Sequence, residues 1–364
     1  MLPKQLASQP HYSWTLWKLN KFMRFLLLLM VLLVSACAKP PLVQTQSYVF
    51  GTLVDISIYG ETEEKAHAVS NQILQDFQRL HNQYHAWQDS SDLSKLNQSF
   101  ADGRTPFQIS QELTEMLTQV RTLSKQSDGL FNPAIGGLIA AWGFQRDEFV
   151  PVEIKEALIQ KLVSANPQMS DIVIKNNMAY STNPAVKIDL GGYAKGYALD
   201  MAAAELHKNG IKNALVNIGG NIIAVGQHGK KPWRVGIQHP RQPGPMATLD
   251  LPDGWAIGTS GDYQRYFEQD GKRYCHIIDP RTGYPVQGTQ AVTVLIPPGP
   301  NAGVLSDVTS KPIFLSAPDM RENAAKKMGV AHYLLVNSQG EVTLSAAMNS
   351  RIHWLIEPKI KTIQ

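Results

Sequence analysis

The spacing of apolar residues changes period repeatedly along this chain, without a regular alternation of strand and helix. Val54, Ile56 and Ile58 alternate with polar residues after Val49 and Gly51-Thr52, which is the two-residue period of a strand. Ala66, Val69, Ile73, Phe77 and Leu80 then follow helical spacing, so the pattern predicts an amphipathic helix from Glu63 to Leu80. Further helices are predicted over Gln111 to Ser127 (core stripe Thr114, Leu117, Val120, Leu123, stopped by Asp128-Gly129) and over Glu153 to Val163. A fourth runs from Lys195 to Asn209, with Gly210 as its C-terminal cap. Strands are predicted at Ile172–Ile174, Val186–Leu190, Ala214–Ile218, Asn221–Val225, Trp233–Gln238, Trp255–Gly258, Val292–Ile296 and Tyr333–Val336. This mixture predicts an α+β fold rather than a doubly wound α/β one. No internal repeat or low-complexity segment interrupts it, and Pro297-Pro298-Gly299-Pro300 reads as a stiff turn.

A chain of 364 residues suffices for one large or two moderate domains, and 43% hydrophobic with 18% charged residues is the balance of a globular protein. A net charge of +4 is too mild to point to nucleic acid.

Residues 1–36 read as a signal peptide region. Lys18, Lys21 and Arg24 precede an apolar run from Phe25 to Val34, followed by Ser35-Ala36-Cys37. Ten apolar residues fall short of the roughly 20 that a membrane-spanning helix needs, whereas a basic flank, a short apolar run and small residues make a secretory signal. Val34-Ser35-Ala36-Cys37 looks like a bacterial lipobox, which makes Cys37 the lipidation site and the first mature residue. Met23 is a second candidate start, which would make residues 1–22 an extension. Residues 37–47, with Pro40 and Pro41, read as the lipidated cysteine and its tether. The expected location is therefore the exported side of a membrane, held by lipid. Ala38 brings no acidic retention residue, and inner versus outer membrane stays open. With Cys37 acylated, Cys275 has no partner, which excludes a disulfide framework and a cysteine metal site.

Four glycine-marked stretches carry candidate chemistry. Asp189-Leu190-Gly191-Gly192-Tyr193-Ala194-Lys195-Gly196 ends a strand in glycines and opens a helix. Such a turn brings backbone N–H groups and positive potential to a phosphate, and Lys195 adds charge; it also fits a plain strand-to-helix turn. Thr259, Ser260 and the Gly261 amide could form a phosphate nest or an ordinary hairpin turn. His276, before the rigid Asp279-Pro280-Arg281-Thr282-Gly283 turn, is a candidate proton acceptor for a hydroxyl nucleophile, or a structural histidine. Gly129-Leu130-Phe131-Asn132-Pro133, with Trp142-Gly143-Phe144, could hold a flat ring or fill the core.

In this order, these stretches resemble the ApbE family, the FAD:protein FMN transferases, from about Val49 to Leu355. Phe50-Gly51-Thr52 stands where that family has Met-Gly-Thr. Trp87 and Asp92-Leu93-Ser94-Lys95-Leu96-Asn97 match an aromatic followed by S-E-L-S-R-x-N. The Leu130–Asn132 loop, the glycine-Lys turn, Leu215-Val216-Asn217-Ile218-Gly219-Gly220, Thr259-Ser260-Gly261-Asp262-Tyr263 and His276-Ile277-Ile278-Asp279-Pro280 match in turn.

The resemblance implies an ApbE-like (T-fold-like) α+β body of mixed sheets with packed helices over residues 48–357, followed by a tail at 358–364. It implies that Phe50, Trp87, Leu130, Phe131, Asn132, Asp189, Lys195, Thr259, Ser260, Gly261 and Ile277 line an FAD site. His276 would assist a Thr or Ser hydroxyl of an exported or membrane-bound redox protein, the flavinylated acceptor, in attacking the FMN-side phosphorus, with AMP leaving. Mg²⁺ would be held near Gly192 and Asp307, with Ser310 or Lys311 completing the set. The sequence departs at that last position, where Lys311 replaces the family's ligand Thr: a protonated ammonium repels a metal. Three outcomes stay open: Thr309 or Ser310 substitutes, Lys311 itself neutralises phosphate charge, or activity is lost with FAD binding kept. Asn132 in place of Asp keeps a hydrogen-bonding shape without the charge. Two other functions share the same site, an FAD diphosphatase giving FMN and AMP and a non-catalytic FAD-binding accessory lipoprotein.

Overall fold

Nine strands form the main sheet of the computed structural model, which describes residues 40–364 except Arg104 and Asp147, together with Met23. The signal-like segment and Cys37 lie outside the described residues. The strand order is Leu42–Val49, Thr52–Tyr59, Ala214–Ile218, Asn221–Val225, Ala256–Gly261, Thr289–Ile296, His332–Asn337, Val342–Leu344 and Lys361–Ile363. All neighbours pair antiparallel except the last two. No described helix is long and apolar enough to cross a membrane.

Both faces of this sheet are covered. Helices Glu63–Gln83 and Ala194–Lys208 pack over one face, burying Ile73, Phe77, Ala198 and Leu199 against Ile56, Val216, Ile218 and Ile223. A three-stranded sheet (Trp233–Gln238, Pro245–Leu251, Ile352–Trp354) covers the other, burying Trp233, Val235 and Leu249 with Ile257, Ala291 and Leu295. Thr289–Ile296, near the middle, is therefore buried at every residue, as a strand covered twice must be. Burying a Val, Leu or Phe side chain contributes about 1.5–3 kcal/mol, so these two layers supply most of the drive to fold.

The helices start where the sequence offers caps. The hydroxyls of Thr62, Ser91 and Ser110 accept hydrogen bonds from Lys65, Ser94 and Leu113 N–H at 3.3, 3.0 and 3.0 Å. The helices predicted from Glu63, Gln111, Glu153 and Lys195 run over Glu63–Gln83, Gln111–Gln126, Glu156–Ala165 and Ala194–Lys208. In the second, Leu113 and Met116 join the buried stripe, while Thr114 is half-buried and bonds to Asn177.

Four local expectations are corrected. Residues 42–47, read as tether, belong to an edge strand whose polar residues hid it: only Val43 and Val49 are buried. The tail contains Lys361–Ile363, exposed and paired parallel with Val342–Leu344. Val186–Leu190 is not a strand. Its backbone bonds instead to the Asn97 side chain, which receives from Ile188 N at 2.7 Å and donates to its carbonyl at 2.9 Å, and to Pro133, Ala134 and Gly136. Thr259, Ser260 and Gly261 form no nest or turn; they continue a strand in register with Thr293, Val292 and Ala291.

One helix crossing positions the site. Helix Ala302–Val308 lies so close to Ala194–Lys208 that a Cβ on Gly196 would meet Gly303 O at 2.5 Å and Val304 Cα at 2.7 Å. Asp200 fixes the crossing by accepting from Gly303 and Val304 N–H at 2.7 and 2.9 Å. Gly196→Val should therefore lower the unfolding free energy by about 1–3 kcal/mol, through overpacking against backbone that cannot retreat. An unchanged urea midpoint would show that the helices separate freely.

Candidate active site

Two hairpin turns and the glycine-Lys turn meet at one end of the main sheet. Phe50-Gly51 joins the first two strands with φ of +58° and +68°, and Gly219-Gly220 joins the next hairpin with φ of +58° and +94°. The turns touch: a Cβ on Gly219 would lie 2.5 Å from Thr52 Oγ1. Phe50 is not a residue that adopts positive φ freely, and the strain costs about 1–3 kcal/mol. It is held by its ring on Phe77 and His81, at 5.7 and 5.8 Å between centroids, and by Arg265, whose Nη2 donates to its carbonyl at 3.1 Å.

Between these turns lies a cleft of about 830 Å³, toward the upper end of small-molecule sites. Phe50, Trp87, Phe144, Phe149 and Tyr263 give it aromatic walls, and Asp189, Lys195, Thr259 and Arg265 give it polar ones. Trp87 is oriented from two directions: its Nε1–H donates to Asp189 Oδ2 at 3.0 Å, and Lys187 Nζ sits 4.1 Å from its ring. Asp189 also accepts from Gly191 N–H at 2.7 Å, so one carboxylate ties the aromatic wall to the glycine turn.

Positive charge gathers at the polar end. His276 faces Arg265, Lys195 and Lys311; burial first, then these cations, push its pKa down to about 3. Its Nδ1 lies 3.3 Å from the Arg265 carbonyl, which only accepts, so this contact calls for the hydrogen on Nδ1. Burial pushes Lys195 down to about 8, with Asp307 opposing and Lys311 and Arg265 assisting.

The third component is Asp307, 4% exposed. Burial raises its carboxyl pKa, but Lys311, Lys195 and the Gly196 amide outweigh burial and hold it below the usual range. Its Oδ2 accepts from Gly196 N–H at 3.1 Å and its Oδ1 from Lys311 Nζ at 2.7 Å. Lys311 Nζ also donates to the Asp307 carbonyl at 2.6 Å, and its Cε would lie 2.8 Å from a Cβ on Gly192.

The model of the ApbE family matches residues 50–335, most of the chain. This chain belongs to the ApbE family. It is 38% identical over 86% of its length to an FAD:protein FMN transferase of Rhodobacter capsulatus, of which it spans 59%. It is 32% identical over 79% of its length to one of Haemophilus influenzae, of which it spans 83%. Its fold matches the crystal structure of an ApbE protein from Thermotoga maritima with a TM-score of 0.77 at 27% identity, covering 85% of this chain and 99% of that one.

Within this ApbE fold, the expected site residues divide. Phe50, Trp87, Asp189, Lys195 and Thr259 line the cleft, and His276 and Asp307 stand in its cationic cluster. Leu130, Phe131, Asn132 and Ile277 do not line it: Phe131 and Ile277 are core residues and Leu130 packs against the same core. Asn132 is buried, donating to Pro167 O at 2.9 Å and accepting from Ala134 N–H at 3.0 Å. An Asp could not make the first bond, so the amide stabilises the loop that supports Asp189. Ser260 and Gly261 sit behind the cleft wall, with the Ser260 hydroxyl 2.7 Å from that of Ser310. Sequence reading missed Arg265, which follows the matched Thr259–Tyr263 motif by two residues. It also missed His81 and His85, which only the fold brings to the cleft, and it marked Tyr263 in a matched motif without giving it a place in the site.

The residues present do not fit a divalent metal. Both Asp307 carboxylate oxygens are engaged, Oδ1 by a cation. The Ser310 hydroxyl donates to Asp307 O at 3.0 Å and meets Ser260, and the Thr309 hydroxyl donates to Leu305 O. The described residues contain no cluster of three or more His, Cys, Asp or Glu suited to a metal.

The Lys195 ammonium is charged below its pKa and neutral above it, so the cleft loses one positive charge as pH rises through about 8. Side-chain NMR of isotope-labelled lysines should show one ammonium with its midpoint near pH 8 that vanishes in Lys195→Met. Persistence of that signal in the variant would assign it elsewhere.

Proposed function

We propose that this chain is an FAD:protein FMN transferase, moving FMN from FAD to a Thr or Ser hydroxyl of an exported or membrane-bound redox protein. One observation carries the reading: His276 lies next to Lys195 and Arg265, cations that line an aromatic-walled cleft, with Lys311 also near it. This combination suits a flat ring system joined to a diphosphate. Phe50 and Trp87 offer faces for the ring; the cations and the N-terminus of helix Ala194–Lys208 answer the phosphates.

In the reaction, the acceptor oxygen bonds to the FMN-side phosphorus. The bond from that phosphorus to the bridging oxygen breaks, and AMP leaves carrying that oxygen. The hydroxyl proton passes to Nε2 of His276, while Nδ1–H holds the ring against the Arg265 carbonyl. A pKa of about 3 keeps His276 neutral and ready, and too weak as a base by itself. A bound diphosphate opposes the surrounding cations and raises that basicity when the substrate is in place.

We further propose that Cys37 carries lipid and holds the enzyme at the exported face of a membrane, beside its acceptors. The basic flank, the short apolar run and Ser35-Ala36-Cys37 support this.

Two experiments test these readings. Incubation with FAD and a candidate acceptor domain should yield covalent flavin fluorescence on the acceptor and one AMP per label. His276→Ala should slow labelling by about 10²–10⁴-fold with FAD affinity little changed; labelling at the wild-type rate would remove His276 from the mechanism. Cys37→Ala should move the protein from the membrane fraction to the soluble one, and continued membrane recovery would end the lipid-anchor proposal.

A further inference from the structure

The geometry points to Lys311 as the built-in cation of this site, an ammonium that takes the place of a divalent metal beside the diphosphate. The inference rests on the flavin-transfer reading above. It starts from what surrounds the ammonium: Nζ donates to Asp307 O at 2.6 Å and to Asp307 Oδ1 at 2.7 Å. A metal at this point would need those same two oxygens. An ammonium has three N–H donors, so two fix it in place and one remains for a phosphate oxygen.

The neighbours make the position permanent rather than incidental. Lys311 is 17% exposed in its side chain and Asp307 4%. Asp307 is braced by the Gly196 amide on its other oxygen, so the anchor does not swing away with its partner. Gly192 lacks the positive φ that would itself call for glycine, and a Cβ there would meet Lys311 Cε at 2.8 Å. The absent side chain at 192 is the space that the lysine occupies.

Charge accounting agrees. Lys195, Arg265 and Lys311 surround a neutral His276, against the carboxylate of Asp307, while the Asp189 carboxylate interacts with Lys187. The surplus of about two positive charges matches a diphosphate, which carries one negative charge per phosphate. A divalent ion added here would meet three cations, and would have to displace Lys311 from Asp307 Oδ1 and from the Asp307 carbonyl. The AMP-side phosphate gains negative charge as its bond to the FMN side breaks, and a fixed cation next to it stabilises that charge without reorganisation.

The test uses the detergent-solubilised full chain and two readouts. In the first, Mn²⁺ binding is followed by electron paramagnetic resonance, with and without FAD. Wild type should remove no Mn²⁺ beyond what FAD alone removes, whereas Lys311→Thr should take up one ion per chain. In the second, AMP release from FAD is measured with a candidate acceptor domain. Wild type should run at the same rate, within about twofold, in EDTA and in millimolar Mg²⁺. Lys311→Thr should fall about 100-fold in EDTA and recover at least about tenfold with Mg²⁺, while Lys311→Arg should stay metal-independent. Stoichiometric Mn²⁺ on the wild type, or wild-type turnover abolished by EDTA and restored by Mg²⁺, overturns the inference and leaves flavin transfer intact. No AMP and no labelling under any condition would sink flavin transfer instead, and the Mn²⁺ measurement would still decide the role of Lys311.

Discussion

A buried carboxylate must have its charge answered, and the way Asp307 is answered organises the cationic end of the cleft. One oxygen takes the Gly196 amide at the start of helix Ala194–Lys208, and the other takes the Lys311 ammonium. The first contact exists only because Gly196 and Gly303 let two helices approach to backbone distance. The second ties the break between helices Ala302–Val308 and Ser310–Leu315 to the glycine turn at Gly192. Without the crossing, Asp307 would lose the amide on its second oxygen, a hydrogen bond to a buried charge worth about 1–3 kcal/mol. The packing of two small residues thus sets the electrostatics of Lys195, Lys311 and His276 together.

The opposite wall is arranged by different means. There strain and aromatic contact replace charge: Phe50 is kept at φ +58° by rings behind it and by Arg265 on its carbonyl. Arg265 is the link between the two ends, since its guanidinium holds the Phe50 turn and its own carbonyl holds the His276 ring. Asp189 performs a matching task across the cleft, joining Trp87 to the Gly191 backbone.

Much of this was legible in the residues, and the limits have physical causes. Strands whose buried positions alternate, such as Trp233–Gln238, could be delimited from period alone, because burial on one side repeats every second residue. Leu42–Val49 could not, since an edge strand that buries two of its eight residues leaves almost no hydrophobic signal. Val186–Leu190 failed in the other direction: its apolar residues are buried, but a side chain and a loop satisfy its backbone instead of a neighbouring strand. Of the marked residues, Lys195 and His276 stood out because glycine turns and a rigid Asp-Pro turn announce themselves locally. Arg265 did not, because nothing in its own neighbourhood says that it reaches residue 50.

The sequence alone determined the α+β class, most helix and strand positions, the family resemblance, and the unusual lysine at 311. These are properties of period, turn chemistry and residue type, which act over a few neighbours. Only the tertiary structure decided what that lysine does: of the openings the sequence left, the fold places its ammonium on both oxygen types of Asp307 and in the space beside Gly192. It also decided that the Leu130–Asn132 loop supports the cleft instead of lining it. The reason is the same in both cases. Which side chains share a volume depends on how elements far apart in the chain cross, and those distances are set by packing across the whole core rather than by local preference.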